Sequence, residues 1–224
     1  MIEVIVFVEG QTEEKFIKLL VAPALNHLQL YVKPQLLNTS RDSKGGALSF
    51  ERLKMNARNT LRQYNTAILT TLIDLYALDT SFPEFEKAKL CPDVYSRVEH
   101  LEIALHTALV NAVECRPERF IAYIQPYEFE GLLFSDVATL SQVEPDWTRS
   151  LSQLEQVYNK FETPEHINDG YDTKPSKRLE KLLNPKYKKT RHGPLAAKKI
   201  TLEVIERECP HFKTWMDQLR ALAK

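Results

Sequence analysis

The amino-acid sequence predicts an α/β protein: a parallel sheet flanked by helices, with a helical, basic C-terminal extension. Short apolar runs rich in β-branched residues occur at residues 2–8 and 67–73, further strand segments at 31–37 and 119–125, and helical periods separate them. Beyond Phe129 the pattern changes to helices divided by polar, proline-containing stretches. Continuous apolar runs fit strands buried on both faces, and their alternation with helices fits a parallel sheet.

The elements follow in order. Residues 2–8 form a first strand ending at Glu9, and Gly10 allows a tight turn. Thr12 is placed to cap a helix with Glu13 and Glu14 in its first turn and Phe16, Ile17, Leu19 and Leu20 on its apolar face. A second strand covers residues 31–37, residues 43–46 form a loop, and residues 50–64 form a polar-faced helix. A third strand at 67–73 ends at Asp74. A helix at 93–114 carries Val94, Val98, Leu101, Leu105 and Val113, and a fourth strand runs from 119 to 125, where Pro126 stops it. Further helices are predicted at 147–161, 175–183 and 195–223, the last packing through Leu202, Ile205, Trp215 and Leu219. The stretch 163–173, with Asn168, Asp169 and Gly170, is the expected mobile loop.

A chain of 224 residues that is 43 % hydrophobic can bury a substantial core. The expected division is an α/β domain over residues 1–140 with a helical, basic extension over 141–224 packed on it. The N-terminal run has no basic segment before it and ends at Glu9, which reads as a strand and not a signal peptide. No apolar run reaches the roughly 18 residues of a membrane helix. Cys91, Cys115 and Cys209 are scattered and lack a CxxC pairing, which argues against a disulfide framework or a thiolate zinc site. The expected location is the cytoplasm, with no membrane contact.

Zero net charge conceals a segregation. Residues 173–199 hold 10 Lys or Arg against the single acid Glu180, while the rest of the chain holds 20 basic and 29 acidic residues. A cationic segment beside an acidic body suits a protein that gathers metal in one place and grips a polyanion in another.

The acids are placed where such a metal would sit. Glu9 follows the first strand, Asp74 the third, and Glu128 and Glu130 the fourth. Parallel strands bring their C-terminal ends to one rim, where open α/β sheets bind ligands. Carboxylates gathered there repel one another unless a hard cation joins them or one stays protonated as a general acid or base. No histidine has metal-ligand spacing, and P-loop and GxGxxG signatures are absent, so an ATP requirement would fall to a partner.

The segments VFVEGQTEEKF, TLIDLY and PYEFEGLLFSD, in that order, resemble the Toprim superfamily, shared by topoisomerases, primases and the overcoming-lysogenization-defect nucleases. With INDGYDTKPSKRL and CPHFKTWMDQL they are similar, over most of the chain, to bacterial Toprim-like proteins of unknown function often encoded beside ATPases in phage-defence loci. The resemblance implies a Toprim-like, Rossmannoid parallel sheet and a Mg²⁺- or Mn²⁺-dependent nuclease. It assigns acid/base chemistry to Glu9 and metal binding to Asp74. The superfamily's second aspartate, two residues on, is here Tyr76, so Glu128, with Glu130 second, is expected to complete the metal shell alongside Glu9 and Asp74.

Nucleic acid is the expected partner, together with an ATPase. Lys174, Lys177 and Arg178 surround the start of a helix, where exposed amides add to the attraction for phosphate. Lys188, Lys189 and Arg191 follow, with Tyr187 as a stacking surface. The alternative reading is a catalytically degenerate Toprim-like subunit that binds nucleic acid or regulates a partner ATPase, motivated by Tyr76. Phosphotransfer on a small nucleotide is a third. DNA and RNA, and the oligomeric states, stay open at this point.

Overall fold

The computed structural model describes residues 1–37, 47–168 and 170–223; the expected loop at 43–46 and Asp169 lie outside the described residues. Strand β1 (Ile2–Val8) runs between β2 (Leu30–Leu36) and β3 (Ile68–Asp74), and β4 (Phe120–Ile121) and β5 (Ile124–Gln125) succeed each other along the far side of β3. Every pairing is parallel. Val8 stands opposite Leu36 and Leu72, and Asp74 stands opposite Gln125, so the C-terminal ends of these strands share one rim.

Helices α1 (Gln11–Phe16) and α2 (Ala22–Asn26) are joined by the π turn Ile17–Val21. After them come α3 (Phe50–Gln63), α4 (Phe85–Ala88), α5 (Val94–Val113), α6 (Val137–Ser141) and α7 (Leu151–Tyr158). The chain ends in α8 (Pro175–Leu182), α9 (Lys189–Ile200), α10 (Leu202–Glu208) and α11 (Pro210–Ala221). Ser49 Oγ caps α3 by accepting from the Arg52 amide, and Asp93 and Ser96 form a reciprocal capping box at the start of α5.

The two faces of β1 explain its unbroken apolar sequence. Val4, Val6 and Val8 point into a cluster with Phe16, Phe129, Trp147, Ala197, Phe212 and Trp215. Ile5 and Phe7 point the other way, against Leu53, Leu61, Val98, Leu101 and Leu105 of α3 and α5. A strand covered on both sides has no polar alternation to show. Trp215 reaches the sheet itself, its Nε1 donating to Thr70 Oγ1 at 2.9 Å.

Several expectations need correction. The fourth strand is interrupted because the Thr71 hydroxyl takes the place of the ladder: it donates to Tyr123 O (2.7 Å) and accepts from the Tyr123 amide (2.9 Å). Gly10, not Thr12, is the N-cap of α1, and Thr12 is buried inside that helix. The helix expected at 195–223 begins earlier and is three helices, broken at Thr201, which adopts a left-handed φ of 80°, and at Pro210, whose missing N–H suits only a first turn. Residues 145–150 are a 3-10 segment, and α7 is correspondingly shorter than the helix expected at 147–161.

The first half of the supposed mobile loop is anchored. Pro164, Glu165 and Ile167 are buried. Glu165 accepts from the amides of His211 (3.0 Å) and Phe212 (3.1 Å) and from the Tyr95 hydroxyl (2.9 Å), capping α11. Among the described residues no helix is long and apolar enough to cross a membrane.

Candidate functional site

Glu9 and Asp74 meet at the rim. The Asp74 amide donates to Glu9 Oε1 at 2.6 Å, and the Phe129 amide donates to Asp74 Oδ1 at 2.8 Å. These two bonds tie the ends of β1 and β3 to the chain leaving β5. Tyr127, at the corner before Glu128, has a left-handed φ of 55°, and its carbonyl accepts from the Tyr76 amide (3.2 Å). Non-glycine residues enter that region at a cost of about 1–2 kcal/mol, so the surrounding bonds must hold the corner in place.

Glu13 joins them from the first turn of α1. Its Oε2 lies 3.1 Å from where a Cβ on Gly10 would stand, so a larger residue after Glu9 would push this carboxyl aside. Burial raises the Glu9 carboxyl to about 8, with Glu13 and Glu128 adding to the rise and the Asp74 amide and Lys189 opposing it. Asp74 is pushed well up by burial and then by Glu9 and Glu13, and burial raises Glu13 as well. Burial among like charges thus favours the protonated form of all three relative to water.

Glu128 and Glu130 also reach the rim, but their oxygens are engaged. Glu128 Oε1 binds Lys174 Nζ at 2.8 Å and Oε2 accepts from the Ser176 amide at 3.0 Å, at the start of α8. Glu130, fully buried, accepts from Tyr187 Oη (3.3 Å) and Lys189 Nζ (3.0 Å), and Lys189 stands 3.7 Å from Glu128. Burial works to raise Glu128, yet Lys189, Lys174 and the Ser176 amide outweigh it and hold the carboxyl below its usual value. Glu130 rises to about 7 because burial prevails over Lys189. Burial lowers the Lys189 ammonium's affinity for its proton, but Glu130 and Glu128 reverse this and raise it.

The expected nucleic-acid contacts therefore divide. Lys174 and Lys189 turn toward the carboxylates instead of lying free on the surface. Lys177 pairs with Glu180, and Arg191 with Glu144 at 2.7 Å. Arg178 donates through Nε to Thr173 O and lies over the Phe161 ring. Lys188 is exposed, but Tyr187, expected as a stacking surface, is buried against Glu130, His192 and Trp147. Glu13 went unassigned in the sequence; the signal is its position four residues after Glu9, one helical turn into the element that the Gly10 corner starts.

Among the described residues no three His, Cys, Asp or Glu stand close enough to form a ready-made ion cage. The donor set nevertheless suits a hard cation. One oxygen of Glu9 and one of Asp74 accept hydrogen bonds, and the second oxygen of each has no donor among the described residues. Mg²⁺ uses one or two carboxylates and takes water and phosphate oxygens for the rest. Glu9 and Asp74 fit that pattern; Glu128 and Glu130 hold lysines.

The molecule is thus an α/β protein with an acidic, lysine-bridged rim at its parallel strand ends. The chain belongs to the family described as domain of unknown function (DUF4276), whose profile matches residues 8–220. Two solved structures of the C-terminal region of the Xanthomonas campestris pv. campestris OLD protein, phased with iodine and with mercury, are similar to it at TM-scores of 0.42 and 0.44. Both are 11 % identical and cover 99 % of this chain and 95 % of theirs. No curated protein matches the chain.

Proposed function

We propose that the rim is the active centre of a Toprim-type, Mg²⁺- or Mn²⁺-dependent nuclease hydrolysing phosphodiesters in DNA or RNA. The observation that carries this reading is the joining of Glu9 and Asp74 at adjacent parallel strand ends, each with one carboxylate oxygen unused among the described residues. The resemblance of VFVEGQTEEKF and TLIDLY to Toprim segments supports the same pair. Glu9 and Asp74 would hold the cation, which when bound supplies electrostatic stabilisation of the phosphoryl oxygens. Without a cation Glu9 is raised to about 8 by burial, and a bound cation would lower that affinity and free the carboxylate for ligation or for taking a proton. Lys174 and Lys189, anchored by Glu128 and Glu130, direct positive charge at the scissile phosphate, while Lys177, Arg178, Lys188 and Arg191 track the backbone on either side. By the same resemblance, the chain acts with a separately encoded ATPase in phage defence or DNA repair.

The test is cleavage of labelled DNA and RNA in Mg²⁺ or Mn²⁺, by the protein alone and with its partner ATPase, against Glu9→Gln and Asp74→Asn. Each variant is expected to lose about 100-fold or more. Cleavage in EDTA, or undiminished cleavage by both variants, refutes the assignment. Tyr76, at the place of the second aspartate, and the lysines occupying Glu128 and Glu130 favour one other reading: a degenerate subunit that binds nucleic acid or regulates an ATPase. Calorimetric titration separates the two, since the degenerate rim takes up no Mg²⁺ or Mn²⁺ in an Asp74-dependent way.

A further inference from the structure

Tyr76 lies on the 3-10 turn Leu75–Ala77, two residues beyond Asp74, with its ring 42 % exposed. Tyr171, 73 % exposed, approaches from the segment before α8. Both rings attend one ammonium: Lys174 Nζ is 5.5 Å from the centre of the Tyr76 ring and 5.2 Å from that of Tyr171. That same Nζ binds Glu128 Oε1 at 2.8 Å, so the rings stand at the mouth of the carboxylate rim. Tyr127 backs Tyr76, their centroids 5.7 Å apart and their planes inclined by 35°. Two solvent-facing rings beside a lysine at the mouth of the rim are the components with which proteins hold unpaired nucleotides. In a duplex the base faces are covered by their neighbours and offer such rings nothing to stack on.

We propose that Tyr76 and Tyr171 form a stacking platform for an unpaired nucleotide next to the scissile phosphate, making single-stranded nucleic acid the substrate class. This rests on the nuclease reading for the word substrate, but the binding it claims can be tested without cleavage. A lesser role is open to the rings, in which they only position Lys174 through cation–π attraction, and the measurement is chosen to separate the two.

Fluorescence anisotropy with labelled oligothymidine and oligouridine, and with a blunt duplex of equal length, is run on the full chain with Ca²⁺ in place of Mg²⁺ across a salt series. Single strands are expected to bind more tightly than duplex. Tyr76→Ala and Tyr171→Ala are each expected to weaken single-strand binding by about five- to one-hundred-fold and leave duplex binding unchanged, while Tyr76→Phe and Tyr171→Phe stay near wild type. Stacking displaces no counterion, so the slope of log affinity against log salt is expected to be unchanged in the alanine variants. Tyr76→Trp is expected to show quenched indole emission when an oligonucleotide is added. Equal losses for duplex and single strand, or a shallower salt slope, would mean that the rings act only through Lys174 and would overturn the platform. Single-strand binding and cleavage undisturbed by Tyr76→Ala and Tyr171→Ala overturn it while leaving the nuclease standing. Ring-dependent single-strand binding without Mg²⁺- or Mn²⁺-dependent cleavage sustains the platform and removes the nuclease.

Discussion

Replacing Lys189 by Met tests whether lysines or other groups balance the charge on Glu128 and Glu130. The Nζ lies 3.0 Å from Glu130 and 3.7 Å from Glu128. At an effective dielectric of about 20, these pairs would be worth about 5.5 and 4.5 kcal/mol of direct attraction. Water reaches the lysine, whose side chain is 43 % exposed, and screens both contacts. Breaking fully buried pairs costs about 3–5 kcal/mol and exposed pairs contribute under about 1, so Lys189→Met should cost about 2–3 kcal/mol at pH 8. At pH 5.5 the cost should shrink to about 1 kcal/mol, because Glu130, at about 7, is then neutral and only the Glu128 pair is lost. Urea denaturation in EDTA at both pH values measures this. The same substitution leaves the rim more negative, so Mg²⁺ should bind about tenfold more tightly in calorimetry even as cleavage falls. A loss below about 0.5 kcal/mol at pH 8, or one larger at pH 5.5 than at pH 8, refutes the account of how these carboxylates are held.

Three further outcomes are expected. In EDTA, wild-type stability should fall by several kcal/mol between pH 5 and pH 8.5: Glu9 and Glu130 are raised from 4.5 to about 8 and about 7, so the folded state keeps protons that the unfolded chain has released. Denaturation curves that are flat or rise over that interval would count against a buried, metal-free acid cluster. Glu165→Ala should cost about 3 kcal/mol in urea, since it strands the buried Phe212 amide and leaves the His211 amide and Tyr95 hydroxyl without their acceptor; a loss under about 1 kcal/mol would mean that water replaces the cap. Gly193→Ala places a Cβ 2.9 Å from Thr12 Cγ2 and 3.0 Å from Tyr187 Oη, which predicts a loss of about 1–3 kcal/mol and weakened cleavage, because Tyr187 would have to move off Glu130. Unchanged melting and cleavage in Gly193→Ala would show that α9 can shift freely against α1.

The strands β1 and β3 are legible in the sequence because both faces of each are packed, leaving runs such as IEVIVFV with no competing period, whereas the edge strand β2 exposes Tyr31 and Leu36. Acids just beyond those runs are legible because a carboxyl interrupts an apolar run whether or not the fold then buries it, as it does Glu9 and Asp74. Side-chain direction is another matter. Whether Lys174 and Lys189 face solvent or the rim depends on how α8 packs against residues 129–136 and α9 against α1, and charge counting sums over both outcomes. The gap in the fourth strand is equally hidden, since Thr71, the residue that makes it, sits 52 positions earlier and looks like any β-branched strand residue. The breaks at Thr201 and Pro210 fall inside an unbroken apolar period; Pro210 was a visible stop signal, whereas a left-handed threonine has no local sign.

The inward lysines also bear on how a rim with Tyr76 in the place of a second aspartate could still serve a cation. Five carboxyls, those of Glu9, Glu13, Asp74, Glu128 and Glu130, influence one another's protonation there. They divide into two groups by what donates to them. Glu128 and Glu130 have their own ammonium groups, amide and hydroxyl. Among the described residues Glu9 and Asp74 each receive a single backbone amide, and burial raises the proton affinity of both, that of Glu9 to about 8. A divalent cation at Glu9 and Asp74 would replace those protons without displacing either lysine, because each lysine already has a carboxylate of its own. A sixth acid at position 76 would have needed a further counter-charge. A tyrosine there needs none, and it leaves an aromatic face at the mouth of the site.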